Sequence, residues 1–158
     1  MLKGNAGAQF VIGTRTNDNA PAGVVGEFVT ATVAVGGAVA LTTATPANVT
    51  SISLTAGDWD LSSMIDMNLT GATVTDMRGG PSLTTVTLPT QPGGAGLGTD
   101  ALIVDTSNFV TTTGVMGLPT PPVRLSIAAT TTVFLVAQAT FAVGTIGAFG
   151  TIRARRVR

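Results

Sequence analysis

Thr131 to Arg158 reads "TTVFLVAQATFAVGTIGAFGTIRARRVR". An uncharged run rich in Phe and Val ends in four arginines, Arg153, Arg155, Arg156 and Arg158. The uncharged run starts at Leu125, has arginines at both ends and is long enough to span a bilayer as a helix. Its interior argues otherwise. Thr130, Thr131, Thr132, Gln138 and Thr140 interrupt it, and Gly144, Gly147 and Gly150 cut it into strand-length pieces. Within the first piece, Val133, Leu135, Ala137, Ala139 and Phe141 fall on one face and Phe134, Val136, Gln138 and Thr140 on the other. That is the period of two of a β-strand. The stretch predicts two closing strands joined by a Gly-containing turn, and no membrane anchor.

The rest of the chain reads the same way. Thr and Val recur between short turns, and both are stiff at Cβ and suit a pleated sheet. Residues that dress helix surfaces are scarce: Lys3, Glu27, Gln9, Gln91 and Gln138 are the only Lys, Glu and Gln in 158 residues. In "NVTSISLTAGDWDLSSMIDMNL" (48–69), Ile52 and Leu54 precede an Ala56-Gly57 break, after which Trp59, Leu61, Ser63, Ile65, Met67 and Leu69 share one face. Asp58, Asp60, Ser62, Met64, Asp66 and Asn68 share the other, as in a half-buried antiparallel strand. "ATVTDM" and "SLTTVTL" are weaker strand candidates, and "PTQPGGAGLGTDA" (89–101) is a loop on its Gly and Pro density. A further strand starts after the prolines of "PTPPVRLSIA". The expected fold is all-β, an antiparallel jelly-roll sandwich of about eight to ten strands over residues 26–158. Residues 1–25, with the turn formers of "TNDNAPAG", predict an extended N-terminal arm that orders against a neighbour.

Charge and chemistry narrow the function. Charged residues are 10% of the chain and the net charge is zero, which favours a surface hidden in an assembly. No acid follows Asp105, whereas Arg124 and the four closing arginines do. Arg153, Arg155 and Arg156 are therefore candidates for charge contacts with acids of another subunit. They form too narrow a patch, with too few aromatics, for nucleic acid. There is no Cys and no His, which excludes disulfides, thiolate chemistry and His-based acid–base catalysis. With only Lys3 as an amine, no base activates a Ser or Thr. The first residues lack the apolar core of a signal peptide.

Three segments carry a family resemblance. "GTRTNDNAPAGVVGEFVTATV" (13–33), "NVTSISLTAGDWDLS" (48–62) and "VRLSIAATTTVFLVAQATFAVGTIGAFGTIRARRV" (123–157) resemble stretches of small phage and prophage structural proteins. In those, "TNDNA…G..GE(F/Y)" precedes the first strand, "SI.L.AGDWD(V/L)S" lies mid-domain and "A.TT.(F/Y)LVAQATF…G.I.ARR(V/L)R" closes the domain. The resemblance implies a homotrimeric jelly roll of the C1q/tumour-necrosis-factor shape. Such domains occur on tail fibres, head fibres and capsid decorations. It also implies synthesis in the host bacterial cytoplasm, a place on the exterior of the virion and no cofactor. The major capsid protein or another virion protein would then be the partner of residues 1–25, with a host surface glycan as partner under a tail-fibre reading. Residues 71–117 match nothing in the family.

Candidate site residues follow from the faces. Trp59, Leu61, Ile65, Val133, Leu135 and Phe141 are expected in the core. Phe134, Val136, Gln138 and Thr140 form the candidate trimer interface, the alternative being that both faces of their strand are buried within one sandwich. Asp58 and Asp60 have the residue types of a glycosidase pair but read as the polar face of a strand beside a Gly turn, so no catalytic residue is assigned. Asp66, Asp76, Asp100 and Asp105 have no calcium-loop spacing, so no metal is assigned.

Overall fold

One strand of 26 residues organises the molecule. A computed structural model of the chain describes residues 16–89, 102–106 and 108–158. They form β1 (Phe28–Val33), β2 (Val39–Ala40), β3 (Ala47–Leu54), β4 (Gly57–Ser82), β5 (Ile103–Asp105), β6 (Phe109–Ile127), β7 (Thr131–Phe141) and β8 (Thr145–Arg156). Among the described residues the one helical piece is a 3-10 turn, Val35–Gly37. The fold is all-β and every strand pairing is antiparallel.

The first part of β4 pairs with β8 over 59–70 and with β6 on its other side. Beyond a run of register shifts between Leu69 and Val74, the same strand pairs with β7 over 74–82 and with β5 over 77–79. β4 thus belongs to two layers, β1–β8–β4–β6 and β3–β7–β4–β5. With the two halves of β4 counted as two strands, this is the eight-stranded order of a jelly roll. The layers face each other closely. A Cβ on Gly79, in the second half of β4, would run into Cδ1 of Ile65 in the first.

The β7–β8 turn sits against the bend of β4. Ala142 N–H donates to the Thr73 carbonyl at 3.0 Å. Gly144 has φ +76°, and a Cβ there would lie 2.5 Å from the Gly71 carbonyl carbon and oxygen. Only glycine combines this left-handed backbone with so close an approach.

Trp59, Leu61, Ile65, Val133 and Leu135 are fully buried between the layers, together with Leu54, Met67, Leu69, Ile146 and Ile152. Phe141 is half-buried and packs on the rim of this core. The period-two faces of 59–69 and 133–141 are as the sequence predicts.

Three local expectations change. "ATVTDM" is the continuation of β4 and not a separate strand. "SLTTVTL" is largely bends and turns that fold back on the sheet: Asn48 Nδ2 donates to Thr85 Oγ1 at 2.7 Å, and Val86 N–H donates to Asn48 Oδ1 at 2.8 Å. Its β-branched residues have strand propensity, but the segment is held through the Asn48 side chain instead of a backbone ladder, and tertiary context wins. β6 runs through Pro119, Pro121 and Pro122. It tolerates them because it pairs with β4 alone, and its register with β4 shifts where Pro121 and Pro122 stand between Thr120 and Val123. Of the expected arm, residues 16–25 are mostly exposed and carry a turn at Pro21–Val24, and 1–15 lie outside the described residues. So do residues 90–101 of the Gly/Pro loop.

Candidate functional site

The charged residues converge on one end of the β1–β8–β4–β6 layer. Register alone puts Phe28, Arg155, Asp60 and Arg124 side by side across the four strands. The adjacent row holds Thr30, Arg153 and Ser62. Arg156 has the opposite parity on β8. It follows Ile152 and Ala154 to the inner side, with Trp59 as its cross-strand partner.

Arg156 is buried at 4% exposure, and each of its three guanidinium nitrogens makes a hydrogen bond. Nε bonds Glu27 at 2.8 Å, Nη1 donates to the Ala56 carbonyl at 2.9 Å and Nη2 to Thr55 Oγ1 at 2.5 Å. Its Cζ stands 4.3 Å from the centroid of the Trp59 ring, a cation–π contact. Trp59 Nε1 donates to the Thr55 carbonyl at 3.0 Å. Gly57, φ +148°, leaves the space: a Cβ there would strike Arg156 Nη1. Arg156 thus ties β1's entry, the β3–β4 turn and the end of β8 together. The expected pairing with another subunit's acid gives way to this intramolecular set, because the side chain points inward.

Asp58 is also buried. Arg124 grips it from β6 with Nε on Oδ1 at 2.8 Å and Nη2 on Oδ2 at 2.5 Å, and Arg158 Nε adds a contact at 2.6 Å. The Arg124 hydrogen bonds hold the Asp58 carboxyl below its usual range, outweighing burial, and Arg158 adds to the effect. The Gly23 N–H, at 2.7 Å, and then Arg156 lower Glu27 in the same way. Asp66 is opposite, raised by burial alone.

These directions fix the acid response. The depressed groups, Asp58 and Glu27, contribute stability that is present above their unfolded values and is lost as pH falls through their folded values. Asp66, raised, instead penalises the charged fold, and that penalty is relieved on acidification. Because protonation removes the ion pairs of Asp58 and Glu27 and none of Asp66, the melting temperature is expected to fall with pH below roughly 4. The Glu27→Gln variant should start less stable at pH 7 and lose less on acidification, as thermal melts from pH 7 to 2.5 would record. An equal loss in both proteins would contradict the assignment of Glu27.

Arg153 and Arg155 differ from Arg156. Both are exposed, and Arg153 Nε donates to Ser62 Oγ at 2.9 Å. With Phe28, Asp60, Ser62 and Pro122 they line a shallow cleft of about 240 Å³. Further along the same outer face lie Met64 and Val115, 37% and 57% exposed, and half-buried Phe149 and Asp66. Among the described residues no side-chain hydrogen bond or ion pair reaches Asp66.

The outer face of the other layer is different. Phe134, Gln138 and Thr140 are half-buried, but Val136 is fully buried outside the central core. Its β3 neighbour in register is Asn48, the residue that pins the 83–89 segment. The chain's own loop therefore lies over this part of the candidate trimer face.

Among the described residues no three His, Cys, Asp or Glu side chains could hold a metal ion. No helix there is long and apolar enough to cross a membrane, and the uncharged run of the C-terminus is the β7–β8 hairpin. The sequence did not single out Glu27, Arg124 or Thr55 as partners. The available signal was parity, since an arginine in step with Ile152 and Ala154 has to meet a buried acid. No known protein family, curated protein or solved structure matches the chain.

Proposed function

We propose that this chain is a non-enzymatic structural protein of a bacteriophage particle, a homotrimeric jelly roll that decorates the capsid or forms a head fibre. Residues 1–25 hold it to the major capsid protein or another virion protein on the particle's exterior. The observation that carries the reading is the pairing of the quoted phage-like segments with a jelly roll whose two outer faces are unequal. One is overlaid by residues 83–89, and the other presents Phe28, Met64, Val115 and Phe149 to its surroundings. A sheet face of this composition, on a chain of zero net charge, calls for a protein neighbour. The locking of Asp58 by two arginines supports a structural role for that end of the sheet.

A tail-fibre tip that binds a host surface glycan is the second reading. The cleft favours it, because an exposed aromatic ring beside Arg, Asp and Ser side chains suits a sugar. Deleting residues 1–25 tests the first reading. The truncated protein is expected to keep its assembly state and lose attachment to particles, scored by co-sedimentation. Attachment that survives the deletion would overturn it, and specific binding of the intact domain to host glycans would favour the second.

A further inference from the structure

Resting on the self-association reading above, we infer that the outer face of β1–β8–β4–β6 takes a second copy of this chain, with Asp66 of one copy meeting Arg153 and Arg155 of the next.

Asp66, Arg153 and Arg155 on this face have no ion pair among the described residues. Asp66 is half-buried on this face, beside Met64, and no donor side chain reaches it among the described residues. A carboxylate drawn out of water without a partner is costly. At the other end of the same face Arg153 and Arg155 carry no ion pair among the described residues, and the acid there that no arginine holds, Asp60, stands in register with Arg155 alone of the two. One end therefore keeps an excess positive charge and the other an excess negative charge. They cannot neutralise each other within the subunit. Asp66 is in register with Phe149, four residues from Arg153 and six from Arg155 along β8, which is about 13 and 20 Å at the rise of a strand.

Between the two ends lie Thr151, Met64 and Pro119, a row of low charge that can be buried without penalty. With an acid at one end, bases at the other and an uncharged middle, the face can offer its acid end to the basic end of the next copy, the heterologous contact that closes a ring of three. Complementary ends of this kind fix the register of a contact and exclude the slipped one. The opposite layer offers no such pattern. Its arginine, Arg78, is half-buried and already paired to Asp76 on its own strand.

The experiment compares assembly of the full chain by sedimentation velocity at 50 mM salt for the wild type, Asp66→Asn, Asp66→Lys, Arg153→Asp/Arg155→Asp, and the charge swap that combines the last two. Asp66→Asn keeps the shape and is expected to weaken association by at least about tenfold. Asp66→Lys and the double Arg variant should weaken it more, and the swap should restore much of the loss. Equal assembly of wild type and Asp66→Asn, or a swap no better than its parents, would overturn the proposal even if the protein is found on particles. A wild type that is monomeric at all concentrations would overturn both this pairing and the self-association reading.

Discussion

Replacing Arg156 by Met is expected to cost about 3–5 kcal/mol, the usual effect of removing one partner of a buried ion pair. In a chain of 158 residues that lowers the melting temperature by on the order of 10 °C. The cause is what remains behind. Glu27, whose side chain is 12% exposed, loses its cation. The Ala56 carbonyl and Thr55 Oγ1 lose their donors, and Trp59 loses the guanidinium on its ring. Arg156→Lys should recover little, because an ammonium has no planar fork with which to reach Glu27, Ala56 and Thr55 together. Arg153→Ala, at an exposed position with one hydrogen bond, should lose less than about 1 kcal/mol. Thermal and denaturant melts of the three variants test this. Similar losses at 153 and 156 would mean that burial and bonding of Arg156 do not matter.

The second large effect is at the bend of β4. Gly144→Ala is expected to cost on the order of 3 kcal/mol, from a left-handed backbone at φ +76° and a clash with the backbone of Thr70 and Gly71. A backbone obstacle cannot swing aside as a side-chain tip can. Relief requires the β7–β8 turn to lift from the point where β4 passes between layers, so the two layers should loosen together. Gly36→Ala, where nothing lies within 4 Å, is the control and should be nearly neutral. Hydrogen exchange would locate the damage at 70–74 and 142–146. Fast exchange confined to the turn would contradict the coupling.

Much of the fold was legible because one face of each strand is buried. The alternation of Trp59, Leu61, Ile65, Met67 and Leu69, and of Val133, Leu135, Ala137 and Ala139, gave both strand identity and core. The continuity of β4 was not legible. Gly71-Ala72 reads locally as a break, and only the tertiary geometry makes it a bend within one strand. On the outer face of β7, the covering of Val136 was not legible for a related reason. Nothing in Phe134, Val136 and Gln138 reveals that residues 83–89, themselves strand-like in composition, lie across it. At the charged end, Arg153 and Arg155 follow the outward parity, whereas Arg156 hides in a run of arginines that reads as a solvated tail.

The proposed role requires that this jelly roll work as an assembly. The most direct test is the mass of the purified full chain, measured by light scattering in buffer without detergent. A homotrimer would give a species near three times the 15.8 kDa chain. A protein that remains at 15.8 kDa at every concentration would contradict it.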